Sequence, residues 1–277
     1  MADDDQLVVL ERDAGGFARV TFNRPRSANA VNVGVLQQLY SAIKECGADP
    51  SVGAVVLRGE GRHFSAGGDI KEFAARGGDL PAYMVEITGW LSSCVLALVR
   101  LPKPVVAAVH GTVAGGGGFG VMCATDLVVA GESTRFFGPG TGLGLSPDAG
   151  TTATLTERVG FRTAMELILM NTALTAQEAL EAGLINWVVG DDEVDERAAA
   201  IATQLASGPR RAVGVSKRLM WSGIEERLRT QLGLESHVIS ELSAGEEVRE
   251  GLAAANERRP PDFGGIERGL SVWGACV

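Results

Sequence analysis

Four consecutive glycines, Gly115–Gly118, constrain this chain more than any other feature. They follow an apolar, β-branched run, Val105-Val106-Ala107-Ala108-Val109, and lead through Phe119-Gly120 into Val121-Met122-Cys123. The pattern predicts a buried strand, a tight turn and the start of a helix. Each glycine loses more backbone freedom on folding than another residue would. Four in a row are kept where a group approaches the backbone closely or where φ is positive. The free N–H groups of a first helical turn also point outward and favour negative charge. The stretch therefore reads as a site for an anion, or for an oxygen that becomes one, ahead of the plainer alternative of close helix–sheet packing. A second stretch has the same form. Val55–Gly59 predicts a strand, and Phe64-Ser65-Ala66-Gly67-Gly68-Asp69-Ile70 leads into a helix. Two such units can aim two backbone N–H groups at one oxygen, which is the geometry of an oxyanion hole.

The length of 277 residues and a 45% hydrophobic content suit one large domain, or one domain with a smaller appendage. A net charge of −9 argues against a nucleic-acid or anionic-membrane surface. Cys46, Cys94, Cys123 and Cys276 form no C-x-x-C, and His63, His110 and His237 have no ligand spacing. We expect neither a disulfide framework nor a metal site, and a reducing cytoplasm fits. The acidic start, Met-Ala-Asp-Asp-Asp-Gln, does not read as a signal or transit peptide. No apolar run reads as long and charge-free enough to span a bilayer.

Along the chain, Leu7–Arg12 and Phe17–Phe22 alternate around Asp13-Ala14-Gly15-Gly16 and predict a hairpin. Asn32 is placed to cap a helix with Val35, Leu36, Leu39 and Ile43 on one face. Pro81 opens a longer helix that ends before Pro102. Asp126–Ala130 and Thr134–Phe137 predict strands. Gly138–Pro147 is a glycine-rich loop before helices at Thr151–Val159 and Thr163–Met170. Thr175-Ala176-Gln177-Glu178 is a capping box. From about Glu193 the chain reads as helical, with breaks near Gly208-Pro209, Gly223 and Gly245. We expect a mixed α/β core over residues 1–190, a helical part over 191–263 and a tail over 264–277 that carries Trp273 and Cys276.

Gly115, Gly117 and Gly120 satisfy G-x-G-x-x-G, but Asp126 and Glu132 follow too soon to serve as the acidic ribose partner. Ser41-Ala42-Ile43-Lys44 matches S-x-x-K inside an amphipathic helix and reads as a surface coincidence. His110 reads as a satisfied core histidine. Asp148 stands out among the carboxylates: it follows Pro147, lies beside Gly150 and starts a helix, so it can cap that helix, face a pocket, or do both.

Taken together, the chain resembles the crotonase family of enoyl-CoA hydratases and isomerases over about Leu7 to Phe263. The resemblance rests on Asn23-Arg24-Pro25, on Phe64–Ile70, and on Ala107-Ala108-Val109-His110-Gly111 with Ala114–Gly117. It continues in Gly144-Leu145-Ser146-Pro147-Asp148-Ala149-Gly150, Ala179–Leu184, and Arg249-Glu250-Gly251 with Glu257-Arg258-Arg259. It implies a spiral of ββα units with a helical C-terminal oligomerisation part, and trimers that often pair into hexamers. It implies an acyl-CoA thioester as substrate, with coenzyme A part of that substrate and no separate cofactor. It implies that the N–H groups of Ala66 and Gly117 hold the thioester oxygen, and that Gly67, Gly68, Asp69 and Ile70 line the CoA path with them. Arg24 and Arg26 are then candidates for the CoA phosphates, or solvated surface cations.

The resemblance also marks departures. Hydratases of the family carry two glutamates that position and activate water, and the matching positions here are Gly120 and Gly140. Glycine transfers no proton, so efficient hydration is not expected. Asp148 matches a third position, where an aspartate carries proton transfers in members that shift double bonds or remodel rings, including phenylacetate-pathway isomerases. The resemblance thus points to an acyl-CoA isomerase run by Asp148, with space over Gly120 and Gly140 for a bulky acyl group. The alternatives are a hydratase of low or specialised activity and a CoA-thioester-binding protein without catalysis.

Overall fold

The computed structural model describes residues 6–138 and 140–266. β1 (Val8–Arg12) and β2 (Phe17–Phe22) form the expected antiparallel hairpin, with Val8 opposite Phe22. α1 (Val33–Ala48) is capped by Asn32, whose side chain accepts from the Val35 N–H at 3.0 Å. β3 (Ala54–Gly59), α2 (Ile70–Ala75), α3 (Leu80–Arg100), β4 (Val105–Val109) and β5 (Thr112–Ala114) follow. The glycine run forms a π-helical turn over Gly116–Gly120, continued by α4 (Val121–Cys123). Then come β6 (Leu127–Gly131), β7 (Arg135–Phe137), α5 (Thr151–Leu169), β8 (Ala173–Thr175), α6 (Ala176–Glu181) and β9 (Trp187–Val189). α7 (Val194–Ser207), α8 (Arg210–Ser243) and α9 (Glu246–Glu257) complete the described chain.

The strands make two sheets. The larger has the order β1-β2-β3-β4-β6-β9 and is parallel from β2 onward; the smaller has the order β5-β7-β8. The pairs β4–β5 and β6–β7 each step from the first sheet to the second, which gives the ββα turns of a spiral. Parallel strands covered on both faces read as unbroken apolar runs. That accounts for Val105–Val109, every residue of which is buried. One face of the large sheet packs against α1 and α3. The other is covered by α7 through Val194, Ala198, Ile201 and Ala202.

Four expectations change. α7 lies beyond residue 190 but covers the sheet, so by packing it belongs with the core rather than with the helical part that follows. Gly223 breaks nothing: it lies inside α8, with open space where a side chain would stand. The Gly77–Arg100 stretch is, by length and composition alone, long and apolar enough to cross a bilayer. Half of it is buried, however, because α3 packs between α1 and α8 as a core helix. The helix pair predicted over 151–170 is one element bent at Gly160, whose φ of 77° is outside the helical range. Trp273 and Cys276 lie outside the described residues.

Candidate active site

The loop after β3 and the turn after β5 meet backbone to backbone. Ser65 bridges Val113 through Ser65 N–H to Thr112 O (3.2 Å) and Ala114 N–H to Ser65 O (2.9 Å). Gly68 bridges Val31 through Val31 N–H to Gly67 O (2.7 Å) and Asp69 N–H to Val31 O (2.9 Å). Between these bridges Gly67 (φ 95°) and Gly115 (φ 58°) press together: a Cβ on Gly67 would stand 3.1 Å from Gly115 Cα. This close approach with left-handed backbone is what the glycines are for.

The bridges decide which N–H groups remain free. The Ala66 N–H donates to Ala28 O at 2.9 Å, and the Gly67 N–H to Ser65 Oγ at 3.2 Å. Ala66 is therefore not placed to donate to a substrate oxygen, and its expected role is corrected. The Val31 bridge uses the groups flanking Gly68, so the N–H of Gly68 itself faces the other way and donates to no acceptor among the described residues. The N–H of Gly117 lies in the first turn of its helical segment, where no intrahelical acceptor exists. Gly68 and Gly117 line one small cavity of about 60 Å³. Ala66 lines an outer pocket of about 240 Å³ with Ile70, Phe137 and Asn171, and the two spaces share Gly68, Phe73, Gly115, Gly140 and Leu143. The two-donor arrangement is present, shifted by two residues along the first strand–glycine unit.

Asp148 faces the same cavity. Its Oδ1 is buried and has no hydrogen-bond partner. It rests on the glycine turn so closely that a Cβ on Gly116 would lie 2.0 Å from it. The capping alternative is excluded for the side chain: the N-cap of α5 is Gly150 (φ 71°), and only the Asp148 backbone carbonyl meets the helix start, accepting from Thr151 N–H at 3.0 Å and Oγ1 at 2.6 Å. Burial, and then the charge of Glu235, push the Asp148 carboxyl up to about 7. The rest of the wall is apolar, with Val31, Met84, Ile87, Leu91 and Ile239, apart from Ser146, whose Oγ is also buried without a partner.

Glu235 is the residue that sequence reasoning missed. Its carboxylate, on α8, accepts from Gly150 N–H (2.7 Å), Thr152 N–H (3.0 Å) and Thr152 Oγ1 (2.5 Å). It supplies the cap that Asp148 does not. One signal was available: Leu228, Leu232, Glu235 and Ile239 follow helical spacing on the buried face of α8, so an acidic residue stands in an apolar stripe.

The remaining candidates divide. Arg24 donates to Ala30 O at 2.5 Å and pairs with Asp69 at 3.0 Å, while Asp69 caps α2 through the Glu72 N–H. Both hold the loop in shape. Arg26 stands exposed on the neighbouring 3₁₀ turn. Gly120 leaves no room for a bulky acyl group, because Ala149 Cβ lies 2.4 Å from where a Cβ would be. Gly140 has φ 94°, and Ser146 O lies 2.4 Å from its Cβ position. Neither position can take a glutamate on this backbone. His110 is half-buried and its Nε2 meets Gly61 O at 2.8 Å.

The family model for enoyl-CoA hydratase/isomerase matches residues 12–266. A probable enoyl-CoA hydratase of Rhodobacter capsulatus is 36% identical over 90% of this chain and 95% of its own length. A trans-2-decenoyl-[acyl-carrier-protein] isomerase of Streptococcus mutans is 31% identical over 93% of this chain and 98% of its own. The crystal structure of an enoyl-CoA hydratase from Mycobacterium avium subsp. paratuberculosis superposes with a TM-score of 0.83 at 32% identity, over 93% of this chain and 98% of that one.

Proposed function

The chain belongs to the enoyl-CoA hydratase/isomerase family, and we propose that within it the protein is an acyl-CoA isomerase with Asp148 as its single proton carrier. The observation that carries this reading is the buried Asp148 Oδ1, without a hydrogen-bond partner among the described residues and set on the glycine turn beside the Gly68 and Gly117 N–H groups, with no room for a second carboxylate at 120 or 140. Asp148 removes a proton from the α carbon of a 3-enoyl thioester. The negative charge that develops on the thioester oxygen meets the two N–H dipoles, each such donor being worth about 10²–10³ in rate. Asp148 then returns the proton two carbons away. One group serves as base and then acid, and a carboxyl that titrates near neutral pH suits both steps. The outer pocket along Ala66, Gly68 and Ile70 carries the CoA arm, with Arg26 the exposed cation for its phosphates.

A second reading, hydration, has one observation in its favour. Ser146 Oγ and Asp148 Oδ1 are both buried without partners on one wall, and two such groups can hold a water. Proton NMR of a straight-chain 3-enoyl-CoA in D₂O separates the readings. Deuterium at the α or γ carbon with the wild type and not with Asp148→Asn supports isomerisation. Water adding across crotonyl-CoA at a rate typical of the family, with no such exchange, rejects it. We further propose self-association through the apolar face of α5, where Phe161, Met165 and Leu169 are exposed at four-residue spacing. Light scattering of wild type and Phe161→Glu tests this: the wild type is expected as a trimer or a pair of trimers, and the variant as a smaller species.

A further inference from the structure

Asp148 and Glu235 are two buried carboxylates on either side of one turn, and their surroundings differ in kind. Asp148 Oδ1 meets no donor among the described residues. Glu235 is 5% exposed, and both of its oxygens are met only by donors: Gly150 N–H on Oε2, Thr152 N–H and Oγ1 on Oε1. Burial pushes the Glu235 carboxyl above its ordinary value, and these hydrogen bonds from Thr152 and Gly150 oppose that by favouring the ionised form. The turn between them, Ala149-Gly150, has left-handed backbone at both residues (φ 59° and 71°), a conformation a free loop would not keep for Ala149. The Glu235 hydrogen bonds fix it from α8.

We propose that Glu235 is a positioning residue for the proton transfer: from α8 its carboxylate locks the turn that carries Asp148 and sets a negative charge beside it. That charge favours the protonated form of Asp148. The inference rests on the isomerase reading above. Two carboxylates whose surroundings push them apart divide the work, one staying charged and the other moving the proton. Nothing else around Asp148 competes for this part. α2 and α3 contribute Phe73, Met84, Ile87 and Leu91, the preceding loop contributes the Ser146 hydroxyl, and the glycine turn contributes backbone. Among the described residues, Glu235 is the one charged group that bears on Asp148. Its placement also makes the spiral site depend on the C-terminal helical part, which supplies no residue to the two N–H donors.

The test is the rate of deuterium exchange into a 3-enoyl-CoA as a function of pH, for wild type and Glu235→Gln. Glutamine keeps the size and one acceptor but removes the charge. The acid limb of the wild-type profile is expected near neutral pH, and the variant's limb about one unit lower, with KM for the thioester unchanged. A limb that stays in place overturns the inference, as does a uniform loss of rate at every pH. Asp148→Asn runs alongside: exchange that survives it rejects the isomerase reading itself, a result distinct from an unmoved limb in Glu235→Gln. A measurement on the unaltered protein guards against a variant that does not fold. In ¹³C NMR of side-chain carboxyls, Asp148 is expected to take up its proton ahead of Glu235 as pH falls, because hydrogen bonds from Thr152 and Gly150 oppose the burial of Glu235, and a Glu235 signal that takes up its proton first or together with Asp148 overturns the inference.

Discussion

Asp126 and Asp148 both sit where the spiral core meets the C-terminal helices, and they are built in opposite ways. Asp126 follows α4 and is fully engaged. Its Oδ2 accepts from Val105 N–H at 2.7 Å and pairs with Lys217 at 2.8 Å, and its Oδ1 accepts from Trp221 Nε1 at 2.7 Å. Lys217 in turn donates to the carbonyls of Leu98 and Lys103. Burial lowers the Lys217 pKa, and the Asp126 carboxylate opposes that. At Asp148 the buried oxygen has no partner. A buried charge with every partner in place is a joint; a buried carboxyl without one is held at a cost in stability, and function is what such a cost commonly maintains.

The comparison breaks if the two aspartates respond alike to removal of charge. Asp148→Asn is expected to lower exchange into a 3-enoyl-CoA by about 10³-fold with the fold intact, read by NMR and circular dichroism. Gly116→Ala comes next. Its Cβ would occupy the space of Asp148 Oδ1, and an ~10²-fold loss of exchange is expected from a displaced carboxyl. Lys217→Met removes the buried cation and leaves the half-buried Asp126 carboxylate with only its Val105 and Trp221 donors, and should lower unfolding free energy by about 3 kcal/mol in a denaturant titration while the folded fraction keeps its exchange rate.

One stability effect has the opposite sign. The folded protein binds the Asp148 proton more tightly than an unfolded chain, whose carboxyl keeps its ordinary value of 3.8. Stability owed to this group therefore falls as pH rises from about 4 to about 7. Asp148→Asn should be more stable than wild type by about 4 kcal/mol at pH 8, and the gain should vanish near pH 4. The smallest effect is expected at Ser146→Ala, which removes a hydroxyl without a hydrogen-bond partner among the described residues and should shift stability by less than ~1 kcal/mol.

What was legible in the sequence is what neighbouring residues decide among themselves. The hairpin, the Asn32 cap, the Thr175 capping box with its reciprocal bonds to Glu178, and the strand before the glycines all follow from patterns a few residues long. Asp148 was legible because Pro147 precedes it, Gly150 lies beside it and a helix starts there. The choice of Gly68 over Ala66 was not, because it turns on Ala28 and Val31, which reach the loop from another part of the chain. Gly120 looked like open space because nothing local shows that Ala149 fills it. Glu235 lies on a helix 85 positions away from Gly150, and only the packed structure brings them together.

α8 carries Lys217 and Trp221 at one joint and Glu235 at the other, on one unbroken run of 34 residues. A helix adds about 100° of rotation and 1.5 Å of rise with each residue. A single insertion or deletion between Trp221 and Glu235 would therefore turn one set of contacts away while the other stayed seated. Length is thus frozen in that stretch even where sequence is free. Lineages of this protein that vary in size should do so in the surface loops and the tail, with the Trp221–Glu235 interval kept as a fixed ruler.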